Sequence, residues 1–232
     1  MIPLSDTPQR RNSPVITILI IIINALVYFY SFGKPSGFYD LFIMKYGVIP
    51  FEITKGIDIP PLINYPVYIT LITSLFIHGG FAHIFGNMLF LWIFGDNVED
   101  ILGKLKYILI YFVGGITASL CQVAFSPSSK IPLVGASGAI SAIMGAYIVL
   151  LPLSSINLIV PFFFFPLIVQ VPALVFIFFW FLTQLFNATI GVPGVGWWAH
   201  IGGFLTGIIF AIWLRGGRKK PRNYDVIYPN RW

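Results

Sequence analysis

Residues 16–30 read ITILIIIINALVYFY, a run without one charged side chain, and stretches of this kind recur along the chain. A helix needs about 20 predominantly apolar residues to cross the hydrocarbon core of a bilayer. The whole chain is 57% hydrophobic and only 9% charged, with a mean hydropathy of +0.87, whereas soluble domains carry about 25% charged residues. Most of its surface therefore faces lipid, and its 232 residues suit one compact helical bundle. A single cysteine, Cys121, excludes a disulfide framework and a cysteine metal cluster. The net charge of +6 sits mainly beside apolar spans, so it reads as a topology signal rather than as a nucleic-acid surface.

The pattern predicts six spans, at about 14–32, 69–94, 107–125, 135–151, 170–187 and 197–214. Between the first two, segment 34–68 holds Pro35, Pro50, Pro60, Pro61 and Pro66 among aromatic residues. It is too broken to span and too apolar for a solvated loop, and reads as an interfacial element. GDNVEDILGKLK at about 95–106 reads as a short charged turn, and the prolines at 161, 166 and 172 make the first part of 158–187 irregular. The polar start ends in Pro14, and the apolar run after it is too long for a signal-peptide core.

Six spans put both termini on one side. Arg10, Arg11, Lys104, Lys106, Arg215, Arg218, Lys219, Lys220, Arg222 and Arg231 then share that side, ten of the fourteen basic residues; Lys34, Lys45, Lys55 and Lys130 fall opposite. The positive-inside rule makes the richer side cytoplasmic. The expected organisation is a cytoplasmic segment 1–13, a six-span domain 14–214 and a basic cytoplasmic tail 215–232 in a multi-pass cell-membrane protein, with the lack of a targeting signal pointing to a prokaryotic plasma membrane.

All three histidines, His78, His83 and His200, fall in or at these spans, whereas Lys, Arg, Asp and Glu avoid span interiors. Ionisable groups in lipid are functional candidates by default, and histidine can be buried neutral yet accept a proton near neutral pH. His83 and Asn87, four apart, share a helix face; His78 is roughly 140° away on a helix of this pitch. Interhelical hydrogen bonding is the plain alternative for such residues. In GASGAISAIMGAY, Gly135 and Gly138 flank Ser137 near a helix start, where unpaired N–H groups favour an oxyanion. Small residues there, and Ala199, Gly203 and Gly207 beside His200, also form stripes suited to close helix packing. Close approach of the two stripes would bring Ser137 and His200 together as nucleophile and base. No carboxylate lies within the spans to orient His200, which favours a dyad over a triad.

Jointly these pieces resemble the rhomboid family of intramembrane serine proteases. The resemblance rests on His78, His83 and Asn87, on GASG around Ser137, on AHIGGFLTG around His200, and on GNMLFLWIFGDNVEDILGKLKY. It covers about 70–150 and 197–214. It implies an all-α membrane protein, a six-transmembrane-helix rhomboid-like bundle with a membrane-embedded first loop. It also implies Ser137 as nucleophile, His200 as base, and an oxyanion hole of His83, Asn87 and the Ser137 N–H. His78, Gly135 and Gly138 would support the site, Gly203 and Gly207 would serve helix packing, and no metal or cofactor is implied. Expected partners are transmembrane protein substrates and the lipid bilayer, with no nucleic acid; no oligomeric state is specified. The chain departs from the family in having Ile69 and Thr70 where many members carry a Trp-Arg pair, which bears on loop anchoring. Two other readings are an inactive rhomboid-like binder of membrane proteins and a small transporter; the first normally lacks the serine or histidine, and the second would show repeated halves.

Overall fold

A computed structural model describes residues 2–7, 10–32, 34–35, 37–162 and 165–215. Apolar runs become helices because backbone groups in lipid must find partners within their own segment. The long helices are α1 (Val15–Phe32), α5 (Phe81–Leu102), α6 (Lys104–Phe125), α7 (Ser137–Leu150), α8 (Ala173–Ile190) and α9 (Trp197–Arg215). Two short helices, α2 (Phe38–Tyr46) and α3 (Pro50–Lys55), occupy the first loop, and one turn, α4 (Thr70–Thr73), precedes α5. Among the described residues, four helices can cross a membrane by length and composition: α1, α6, α8 and α9. A fifth span is bent by 80° where Val67–Phe76 meets Phe81–Leu102. With 14 residues, α7 is only about 21 Å long.

This short helix is the centre of the bundle. Every residue from Gly138 to Tyr147 is buried, against α5, α6 and α9. Glycines set the spacing. A Cβ on Gly203 would run into the Gly138 carbonyl oxygen, and one on Gly207 into that of Ala142. One on Gly138 would meet the Ala118 Cβ at 2.6 Å. Small residues thus bring α7 and α9 into backbone contact, the usual basis of helix association where water cannot drive it.

Three expectations are corrected. The charged stretch after the second span is helical, not a turn, and only Gly103, with φ of +80°, ends α5. Its acids have partners: Glu99 accepts from the N–H groups of Ile16 (2.9 Å) and Thr17 (2.8 Å), while Asp96 pairs with Arg10 at 2.7 Å. Glu99 therefore caps α1, whose first N–H groups no preceding helical turn can satisfy. The second span is not continuous from 69 but breaks at 77–80, around His78, Gly79 and Gly80.

The third correction concerns the all-helical expectation. Strands β2 (Ser155–Phe162) and β3 (Phe165–Pro172) form an antiparallel hairpin, and β1 (Ile2–Thr7) joins β2 from Ile2↔Ile159 to Thr7↔Ser155. Ile156 and Leu158 point inward and are buried. Pro161 faces Pro166 near the hairpin turn and Pro172 ends β3, positions where a missing N–H is tolerated. Of the basic tail, all but Arg215 lies outside the described residues.

Candidate active site

The site lies where α7 begins. The chain reaches it through a bridge between Val48 and Leu133, whose N–H and C=O groups pair at 3.0 and 2.7 Å, and then through Gly135, whose N–H donates to the Ser74 carbonyl at 2.9 Å. Gly135 has φ of +120°, a conformation that side chains disfavour. Ser137, half-buried, is the first residue of α7. Its N–H is one of the four that a helix start leaves without an intrahelical acceptor, at the positive end of the helix dipole.

His200 is in the first turn of α9, opposite Ser137 across the glycine contact. Its Nε2 is 2.8 Å from Ser137 Oγ and its Nδ1 is 2.8 Å from Gln184 Oε1 on α8. An amide oxygen only accepts, so Nδ1 carries the proton and Nε2 accepts from the serine hydroxyl. The indoles of Trp180 and Trp197 flank the imidazole at 6.2 and 6.0 Å between ring centroids. Gln122 of α6 accepts from the Ala199 N–H at 3.3 Å, tying the start of α9 to its neighbour.

His83 and Asn87, both on α5, converge on the same spot. The Gly79 N–H donates to His83 Nδ1 at 3.1 Å, so the ring's proton sits on Nε2, the opposite tautomer from His200. A Cβ built on Gly135 would be 2.7 Å from His83 Nε2 and 3.5 Å from Asn87 Nδ2. Asn87 Nδ2 is buried and has no hydrogen-bond partner among the described residues. Two N–H donors thus aim at the backbone just before Ser137. His78 is buried beside His83, with 5.1 Å between ring centroids, and its Nε2 receives a long 3.5 Å contact from the N–H of Ala136, the residue before Ser137. Tyr39 donates to the His78 carbonyl, linking α2 to this break. A cavity of about 10 Å³ adjoins Ser137, lined by Ser74, Ser119, Gly135, Gly138 and Ala199 among others, a size that admits about one water. Among the described residues, no three His, Cys, Asp or Glu side chains group as metal ligands would.

A family model described as "Rhomboid domain" matches residues 66–217, well over half of the chain. The chain belongs to the rhomboid family. Among its relatives, this rhomboid is 28% identical to the mitochondrial Rhomboid protein 1 of Saccharomyces cerevisiae over 71% of its own length and 47% of the relative's. It is 31% identical to RHOMBOID-like protein 4 of Arabidopsis thaliana, covering 68% of itself and 37% of that protein. Over 33% of its length it is 43% identical to 14% of the Rhomboid protease GluP of Bacillus subtilis. The chain spans less than half the length of each of these relatives. Its rhomboid domain and apolar helices make it a multi-pass membrane protein.

Two participants escaped the sequence reading. Gln184 is uncharged, so attention to ionisable groups in spans passes over it; the signal was an amide in a largely apolar helix, shared with Asn187 of the same helix. Gln122 is the same case on α6.

Proposed function

We propose that this rhomboid is an intramembrane serine endopeptidase that cleaves transmembrane segments of membrane proteins through a dyad of Ser137 and His200. The observation that carries this reading is the 2.8 Å contact between Ser137 Oγ and His200 Nε2. Ser137 Oγ attacks the scissile carbonyl carbon while His200 takes its proton. The carbonyl oxygen, now negative, is met by the Ser137 N–H, His83 Nε2–H and Asn87 Nδ2–H; the unpartnered state of Asn87 Nδ2 fits a donor kept for that charge. His200 then protonates the leaving amine, and a water, for which the cavity beside Ser137 has room, hydrolyses the acyl-enzyme with His200 again as base.

The same reading takes α1, α5, α6, α7, α8 and α9 as six membrane helices of one domain, 14–214, with both termini in the cytoplasm of a cell-membrane protein. The hydrogen bonds from Arg10 to Asp96 and from the Arg11 N–H to Asp100 support it, since they hold the N-terminal arginines beside the α5–α6 turn that carries Lys104 and Lys106. The short α7 is compatible with a membrane because protein, not lipid, surrounds it.

The test is labelling of the detergent-solubilised protein by a fluorophosphonate, which reports an activated serine without requiring the substrate. Wild type should label, and Ser137→Ala and His200→Ala should not. A folded wild type that fails to label beside a labelled serine hydrolase would overturn the proposal in favour of an inactive membrane-protein binder.

A further inference from the structure

A histidine can serve as base toward a serine only through a bare ring nitrogen, so a His200 whose Nε2 faces Ser137 must carry its proton on Nδ1. In serine hydrolases with three catalytic members a carboxylate enforces that tautomer. Residues 131–214 contain no Asp, Glu, Lys or Arg, so neither α8 nor the membrane-spanning part of α9 can offer one. An ionised carboxylate placed there would also be costly. What stands in that position is an amide.

We propose that Gln184 is the positioning residue of the dyad: its Oε1 accepts the His200 Nδ1–H and so holds Nε2 bare toward Ser137. This assignment rests on the dyad proposed above. Gln184 is 4% exposed, and its amide has one workable orientation. Its Nε2 donates to the Trp180 carbonyl one turn earlier at 2.9 Å. Reversed, the amide would set its oxygen against that carbonyl oxygen and turn its NH2 toward Nδ1. The result is a directed relay: Ser137 Oγ–H donates to His200 Nε2, His200 Nδ1–H donates to Gln184 Oε1, and Gln184 Nε2–H donates to the helix backbone. Trp180, on the same face of α8, narrows the arc through which the ring can turn. When the serine proton arrives, the imidazolium keeps its second N–H bound to a buried acceptor instead of facing a dry helix.

The relay joins three helices that are held unequally. Glycine contacts lock α7 to α9, whereas α8 is the least buried of the four candidate spans. Gln184 is therefore the point at which the position of α8 acts on the base.

The experiment compares wild type, Gln184→Leu and Gln184→Glu in detergent by two readouts. The first is the imidazole 15N NMR spectrum, tractable because the chain has three histidines; it reports the tautomer without reference to activity. The second is the pH dependence of the fluorophosphonate labelling rate at Ser137. Wild type should show His200 protonated on Nδ1. Gln184→Leu should lose that preference and label about tenfold more slowly, the worth of one neutral hydrogen bond to a reacting group, with its melting temperature little changed. Gln184→Glu keeps an acceptor and should restore labelling, with the acid limb of the profile moved to higher pH because a carboxylate favours the charged ring. If Gln184→Leu fails to fold, the shift in Gln184→Glu decides alone. Wild-type tautomer and rate in Gln184→Leu, or a Gln184→Glu whose spectrum shows an ionised carboxylate and whose profile is nevertheless unshifted, would overturn the assignment while leaving the dyad intact. A wild type that does not label removes the dyad, and this inference with it.

Discussion

Asn87→Ala separates two properties that usually fall together. Among the described residues the Nδ2 of Asn87 is buried with no acceptor, a state that costs about 1–3 kcal/mol. Truncation to alanine removes that cost and leaves a small void with a penalty of similar size, so net stability should stay within about 1 kcal/mol. In a chain of this length that is a shift of roughly 2–4 °C in melting temperature. The rate should behave differently. If the donor is kept for a developing oxyanion, its loss lowers kcat by about 10²–10³-fold, with little change in KM. Single-turnover cleavage of a transmembrane substrate, paired with thermal unfolding in the same detergent, measures both. A variant that melts normally and turns over within threefold of wild type would refute the oxyanion role. One that loses affinity at unchanged kcat would mark Asn87 as a substrate-binding group instead.

Two further predictions concern the fold around the N-terminus. Glu99→Gln preserves volume but leaves one acceptor oxygen for the N–H groups of Ile16 and Thr17 and the Thr17 hydroxyl, all now held within 2.9 Å; one buried donor is orphaned and the others lose a charged partner. The variant should lose about 3 kcal/mol, read as a fall of roughly 6–12 °C in melting temperature, and a fall below 2 °C would refute the cap. Burial pushes the Asp6 carboxyl up from 3.8 to about 7, against the hydrogen bonds from Tyr147 and Asn97 that pull it down and with nearby Asp96 adding to the rise. The folded chain therefore holds a proton there that the unfolded chain has released, and the stability this contributes is complete below about pH 4 and lost as pH rises through about 7. Asp6→Asn should flatten that decline between pH 5.5 and 8 in thermal melts; an unchanged slope would refute it.

Where a fold element depends on residues close in sequence, it was legible. The helices α1, α6, α8 and α9 follow from long apolar runs, and the close α7–α9 contact from small residues at four-residue spacing. Ser137 and His200 stand out as polar groups beside those stripes, but only the packed helices bring them to 2.8 Å. The rest depends on distant partners. GDNVEDIL looks like a turn until Arg10 and the N–H groups of Ile16 and Thr17, more than eighty residues earlier, arrive to satisfy its acids. The prolines of 158–172 look like breakers until residues 2–7 supply a third strand. Gln184 carries no charge and shares its helix with Thr183 and a second amide, Asn187, so only its contact with His200 distinguishes it.

The pairing of Ile2 with Ile159 has a consequence for how the molecule is made. Synthesis proceeds at about 5–20 residues per second, so the first strand waits roughly 8–30 s before the strand it joins has been translated. During that interval α1 must enter the bilayer while the segment ahead of it has no partner in the sheet. Closing this long-range pairing belongs among the last acts of assembly, because the entropy of a loop of this length is recovered only when its ends meet. A bulky group attached at the N-terminus would therefore act on maturation, by delaying that closure, before it had any bearing on the finished molecule.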